Sequence, residues 1–261
     1  MPSFSVPGAV LDWEFSDEGG EPVVQLHGLT SSRQRDRVLG LDLGRGLSGT
    51  RLLRYDARGH GRSTGRDVPE DYRWDHLAED LLRMLEHVFP GESVHGVGPS
   101  MGCGTLLHAI AMAPERFSAL TLLAPPTAWA TRAAKSADYR AAADLVETGG
   151  VSAFVEAGRV APEPPATTGA PKTQPDVADD LLPTLFRGAA LTDLPTPAEI
   201  AAIRVPTTVM AWTDDPGHPL STAEQLVELI PGCQLVTAHT REDVLTWPRL
   251  LHEQIVAIHR H

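Results

Sequence analysis

Short apolar runs alternate with longer stretches of helical period along the chain. PVVQLHG (22–28), RLLRYDA (51–57), SVHGVGPS (93–100), ALTLLAP (119–125), TTVMAWTDD (207–215) and QLVTAH (234–239) are β-branched or Leu-rich. Most end in turn or polar residues, so the pattern predicts six strands. Residues 4–18 read as an additional N-terminal hairpin. Between the strands, Trp74, Leu77, Leu81, Leu85 and Val88 recur at steps of three and four and lay one apolar stripe on a helix. CGTLLHAIAMAPERF (103–117) has helical period and follows a strand directly. STAEQLVELIPG (221–232) opens on a Ser cap and stops at Pro-Gly, and a last helix runs through DVLTWPRLLHEQIVAIHRH (243–261), with Pro248 near its start. Strands separated by helices predict an α/β fold: a mainly parallel sheet covered by helices on both faces.

One segment breaks this rhythm. Residues 127–198 are rich in Ala and Pro, and APEPPATTGAPKTQP (161–175) suits neither a helix nor a central strand. ADYRAAADLVETG (137–149) and DVADDLLPTLF (176–186) read as short helices around it. The organisation expected is a core in two parts, 1–126 and 199–261, with a helical lid at 127–198 inserted before the penultimate strand. The Pro-rich piece reads as a mobile connector.

Composition narrows the function. Thirty-four acidic against 22 basic residues leave a net charge of −12, with no basic cluster to serve a phosphate backbone, so a nucleic-acid partner is not expected. The N-terminus has no basic start followed by a continuous apolar core, and no run approaches the ~18 apolar residues of a membrane span. Two cysteines, Cys103 and Cys233, imply buried thiols rather than a disulfide framework, and a cytoplasmic location is the expectation. Neither a metal nor a cofactor is implied: the histidines lack zinc-type spacing, and no Gly-rich dinucleotide or phosphate loop is present.

VHGVGPSMGCG (94–104) carries the first chemical signal. Gly98-Pro99-Ser100-Met101-Gly102 follows a strand-like run and opens a helix, the context of a nucleophile elbow, in which a turn too sharp for neighbouring Cβ atoms lifts the serine above the sheet. A serine hydroxyl is a weak nucleophile until a base, an orienter for that base and an oxyanion site are supplied.

HGLTSS (27–32), YDARGHGRS (55–63) and GPSMG (98–102) stand in an order that resembles the α/β-hydrolase superfamily, in particular its cap-bearing esterase, enol-lactonase and cofactor-free haloperoxidase group. AMAPERFSALTLLAP (111–125) and WTDDPGHP (212–219) are similar to it as well, so the resemblance spans nearly the whole chain outside 127–198. It implies an oxyanion site made of the backbone N–H groups of Leu29 and Met101. Asp56, Arg58, His27 and His60 are expected to brace turns. The acid in this family stands just before a Pro-x-x-Pro, which selects Asp215 over Asp214. The chain order Ser100, Asp215, His239 then names His239, after the last strand, as the base. Relatives often carry that histidine in a Gly-His pair after a longer loop, whereas here Ala238-His239 closes the strand. His218, in the loop beside Asp215, competes for the role. His252, His259 and His261 read as solvated. Trp129, Trp212, Thr30 and His218 are candidate pocket walls.

The expected function is hydrolysis of a small-molecule ester, lactone or thioester through an acyl group on Ser100, with Asp215 orienting His239. Two other classes share the fold. One runs different chemistry at the same site: perhydrolysis, carbon–carbon cleavage, cyclisation or acyl transfer. The other is a binding protein whose base is misplaced.

Overall fold

The computed structural model describes residues 2–160 and 163–258. Each apolar run lies in one eight-stranded sheet. In chain order the elements are β1 (Ser3–Val6), β2 (Ala9–Asp17), β3 (Glu21–Gln25), α1 (Arg33–Leu39), β4 (Thr50–Tyr55), α2 (Trp74–Val88), β5 (Val94–Pro99), α3 (Met101–Met112) and β6 (Phe117–Leu123). Then come α4 (Arg132–Val160), α5 (Leu182–Ala190), α6 (Pro197–Ala201), β7 (Thr207–Trp212), α7 (Leu220–Leu229), β8 (Gln234–Ala238) and α8 (Arg241–Ile258). The strand order is β1-β2-β4-β3-β5-β6-β7-β8. Only the N-terminal hairpin is antiparallel to its neighbours; from β4 to β8 every pairing is parallel.

Period-two alternation splits the sheet into two cores. Val24, Leu53, Leu122 and Val209 face one side, packing with Leu77, Leu81, Leu85, Leu106 and Leu226. Val23, Leu52, Val97, Leu123 and Met210 face the other, against Trp247 and Leu251 of α8. Successive side chains on a strand point to opposite faces, so a continuous apolar run is what a sheet covered on both sides requires. The stripe on α2 is buried from Trp74 to Leu85.

Helix α1 has no counterpart in the apolar pattern, because its inward-facing residues, Arg33 and Asp36, are charged. Ser32 caps it by accepting from the Arg35 N–H at 3.0 Å, and Gly40 ends it in the left-handed conformation. Asp36 accepts from the Ser31 hydroxyl through Oδ1, while Oδ2 is buried without a partner. Burial therefore pushes its carboxyl up to about 7, partly offset by Ser31 and Arg35. Between pH 4 and 7 the folded chain holds a proton there that the unfolded chain has released, so this contribution to stability falls as pH rises. Asp36→Asn is expected to raise Tm at pH 8, where the carboxylate is charged, and to leave it nearly unchanged at pH 5. Thermal denaturation at the two pH values checks this; an equal shift at both would exclude the buried charge as its cause.

Between β6 and β7 the chain leaves the sheet. Helix α4 is broken at Gly150, whose φ of +76° separates two helical halves. Tyr139 and Phe154, one from each half, stack around Phe186 of α5 at 6.2 and 5.0 Å. With Ala143, Val146 and Leu182 they form a third apolar cluster. Both expected helices lie here, but 137–149 is part of a longer one and the second begins only at Leu182. The Pro-rich stretch differs from a free connector: its described end is bonded down. Thr173 Oγ1 accepts from Arg35 Nε at 2.8 Å, and the Asp176 N–H donates to Thr30 O at 2.9 Å. Ser32 donates to the Asp176 carboxylate, the Gly61 N–H donates to Asp176 O, and His60 bridges Val177. Among the described residues no helix is long and apolar enough to cross a membrane.

Candidate active site

Ser100 sits between β5 and α3 at φ +50°, ψ −107°, a conformation that ordinary residues avoid. Its N–H donates to Leu123 O on β6, and its carbonyl accepts from Gly104, so the turn is anchored on both sides. The flanking glycines are steric requirements. A Cβ on Gly98 would lie 2.9 Å from the Gly102 carbonyl carbon, and one on Gly102 2.9 Å from Leu26 Cβ and 3.0 Å from His27 O. The loop after β3 lies beside the elbow, since a Cβ on Gly28 would be 3.8 Å from Ser100 Cβ. Leu29 follows Gly28 in that loop, and Met101 is the first residue of α3, where a backbone N–H has no intrahelical acceptor.

The histidine beside Ser100 is His218. Its Nε2 is 2.8 Å from Ser100 Oγ and its Nδ1 2.8 Å from Asp215 Oδ2. An ionised carboxylate only accepts, so Nδ1 carries the proton and Nε2 is free to accept from the serine. Asp215 Oδ2 also accepts from Trp212 Nε1 at 2.8 Å, and Oδ1 from the Gly217 N–H at 2.8 Å. Burial alone would push this carboxyl up, but these donors and His218 hold it well below the usual carboxylate range. Asp214, at φ +60°, is exposed and takes no part.

The structure thus parts from the expectation at His239. That residue is exposed, and its backbone N–H donates to Asp243 Oδ2 at 2.8 Å, as does that of Thr240 at 2.9 Å. Only His239 and Thr240 separate β8 from α8, so the chain turns straight into the helix. In the sheet β8 lies three strands from β5, about 14 Å at the usual spacing, whereas β7 is only two strands away. The loop leaving β7 is the shorter route to Ser100. Gly-His pairs stand in the sequence at 59–60 and, in the loop after β7, at 217–218. The second pair, standing where the acid's Pro-x-x-Pro loop turns back, was the signal that could have found His218. His259 and His261 lie outside the described residues, and His252 is half-buried on α8.

Other candidates divide. Trp212 is buried, stacks on Trp247 at 5.8 Å and reaches the site through its bond to Asp215. Trp129 turns to the segment before α6 instead, its backbone N–H on Asp193 and its Nε1 on Pro195 O. Thr30, at φ +62°, accepts from Arg35 through both its carbonyl and its hydroxyl. Helix α4 reaches the site's edge: Lys135 Nζ lies 3.9 Å from where a Gly217 Cβ would be.

The expected braces are in place. His27 accepts from the Ala57 N–H at Nε2 and donates to Gly28 O at Nδ1, which requires the neutral ring. Burial pushes its pKa down, and burial with the neighbouring His27 pushes His60 to about 3. Arg58 is held in a fork by the Asp80 carboxylate. No group of three His, Cys, Asp or Glu among the described residues is placed to hold a metal ion.

Strand order, elbow and the bonded serine, histidine and aspartate together define an α/β-hydrolase fold. The chain belongs to the α/β hydrolase fold family, which it matches over residues 21–245. It is 32% identical over 127 residues to the dihydrolipoyllysine-residue acetyltransferase component of the acetoin cleaving system of Pseudomonas putida. That match covers 46% of this chain and 31% of the relative, so the chain meets about a third of the larger protein. It is 28% identical to RutD of Pseudomonas savastanoi pv. phaseolicola, assigned as a carbamate hydrolase, over 71% of this chain and 73% of that one. The fold matches the crystal structure of the enol-lactonase from Burkholderia xenovorans LB400 with a TM-score of 0.71 and 21% identity, over 100% of both chains.

Proposed function

We propose that the protein hydrolyses a small-molecule carboxylic ester, lactone or thioester through an acyl-enzyme on Ser100, with His218 rather than His239 as its base. The observation that carries this reading is the continuous hydrogen-bonded path Ser100 Oγ, His218, Asp215. As Oγ attacks the carbonyl carbon, its proton passes to His218 Nε2, and Asp215 stabilises the imidazolium on the far side of the ring. The N–H groups of Leu29 and Met101 receive the carbonyl oxygen as it gains charge; backbone donors serve because they are aimed before the charge develops. His218 then returns the proton to the leaving group, and a water activated by the same ring releases the acid. Helices α4 and α5 act as the lid, which keeps bulk water from the acyl carbonyl.

A binding protein that merely retained the fold has no use for a protonated Nδ1 and a free Nε2 aimed at a serine, so we disfavour that class. Labelling with a fluorophosphonate tests the proposal. Wild type is expected to carry one phosphonyl group on Ser100 by peptide mass, with no labelling in Ser100→Ala and slow labelling in His218→Ala. Labelling of Ser100 at the wild-type rate in His218→Ala would reject the assigned base.

A further inference from the structure

We propose that Arg35, with Lys172 and Arg159, forms a subsite for an oxyanion group, carboxylate or phosphate, on the compound that this enzyme hydrolyses. The inference rests on the serine-hydrolase reading for its link to catalysis, but the binding site itself stands on separate observations.

Arg35 is the starting point. It is half-buried on α1, and among the described residues it has no carboxylate within ion-pair distance. Its Nε donates to Thr173 Oγ1 and its Nη1 to the carbonyl and hydroxyl of Thr30, which leaves Nη2 with no acceptor among the described residues. The nearest acidic groups, Asp36 and Asp176, act on Arg35 through their charge but take their hydrogen bonds from Ser31 and Ser32. Burial pushes the guanidinium pKa down, yet an arginine stays protonated at neutral pH. With Asp36 and Asp176 near it but not bonded to it, the unbonded Nη2 edge of this half-buried cation is open to an anion from outside.

The surroundings have the matching shape. Arg35 lines a cavity of about 360 Å³ between the second half of α4 and the strap 172–175, and both Arg159 and Lys172 line it too. Each of these has one carboxylate partner at the surface, Glu156 for Arg159 and Glu163 for Lys172. Exposed pairs of this kind contribute little, so an incoming anion displaces them readily. Arg35 also lines a second cavity of about 230 Å³, where Leu39, Leu41, Val244 and Trp212 stand beside Glu163 and Arg241. A ligand with one anionic end and an apolar body suits that pairing.

The location ties the subsite to the reaction. Thr30 lines the larger cavity and lies two residues beyond Gly28, so their Cα atoms are at most about 7.6 Å apart. Gly28 itself packs on Ser100, and Trp212 of the smaller cavity donates to Asp215. An anion held on the Arg35 fork therefore also steadies the Thr30 carbonyl in the loop that carries the Leu29 N–H.

Two arms test this. In the first, kcat/KM is measured for mono-p-nitrophenyl glutarate and for neutral p-nitrophenyl butyrate in wild type, Arg35→Gln and the double variant Arg159→Gln/Lys172→Gln. The ratio of anionic to neutral ester is expected to fall about tenfold or more in Arg35→Gln, as loss of a charged hydrogen bond implies, and severalfold in the double variant. Arg35 also braces Thr30, so should its variant fail to fold, the double variant carries the arm. In the second, glutarate and propyl phosphate are titrated calorimetrically onto Ser100→Ala protein, and whichever binds identifies the anion. This arm needs no turnover, so it decides the subsite even if no ester is hydrolysed and the serine-hydrolase reading fails. An unchanged ratio in the double variant, or absence of binding by both anions, overturns the subsite.

Discussion

His218→Ala is expected to lower kcat/KM for a p-nitrophenyl ester by about 10⁴-fold, the loss typical of a disabled serine–histidine–aspartate relay, while His239→Ala stays close to wild type. The asymmetry follows from geometry. His218 bridges Ser100 and Asp215 at 2.8 Å on each side, whereas His239 is exposed and only its backbone is engaged, at the start of α8. Without the imidazole, the serine proton has no acceptor and Asp215 retains its bonds from Trp212 and Gly217. Steady-state kinetics on both variants settle the matter. Comparable losses in the two, or a loss confined to His239→Ala, would refute the arrangement. Exogenous imidazole restoring part of the rate to His218→Ala alone would separate a missing base from a collapsed loop.

The second large effect concerns stability. Asp56 accepts from the Arg33 N–H and Nε at 3.0 Å, from Arg33 Nη2 at 3.1 Å and from the Arg62 N–H at 3.1 Å. Both side chains are almost fully buried, 6% exposed for Arg33 and 4% for Asp56. Removing one partner of such a pair leaves an incompletely compensated buried charge, so Asp56→Ala is expected to cost about 3–5 kcal/mol. For a chain of this size that is a fall in Tm of roughly 6–20 °C. Burial alone would raise the Asp56 carboxyl, but the bonds from Arg33 hold it below its ordinary value. Its stabilising contribution is therefore present above about pH 4 and disappears as pH falls through the depressed pKa. The gap between wild type and Asp56→Ala should narrow in acid; a gap independent of pH would mean that the ion pair is not its source.

What was legible in the sequence follows the kind of force involved. Burial of β3 to β8 on two faces writes itself as apolar runs, and the elbow's close approaches write themselves as glycines at 98 and 102. Helix α1 was illegible because it is held by Arg33, Asp36 and the Ser32 cap rather than by an apolar stripe. The strap at 173–176 carries no sign of its anchoring in the sequence because proline suits no regular element, yet single hydrogen bonds to Arg35, Thr30 and Ser32 hold it. Ser100 and Asp215 stand in recognisable local patterns, and the structure brings both to His218. His218 competes with His239 in the sequence for a reason of its own: chain order places a base after the last strand, and only distances across the sheet show that the β7 loop is the nearer route. Trp129 was similarly plausible by position and was drawn off by Asp193 and Pro195.

Asp215 and His218 leave the sheet on one four-residue turn, and this changes what the rest of the chain must do. The two side chains keep their separation by local covalent geometry, whatever happens at the far edge of the sheet. The last strand and helix then supply no member of the Ser100, His218, Asp215 path and cover Trp212 and its neighbours. Damage there would be felt as lost resilience to heat well before it was felt as lost turnover, and insertions at the β8–α8 junction would be tolerated by the reaction centre.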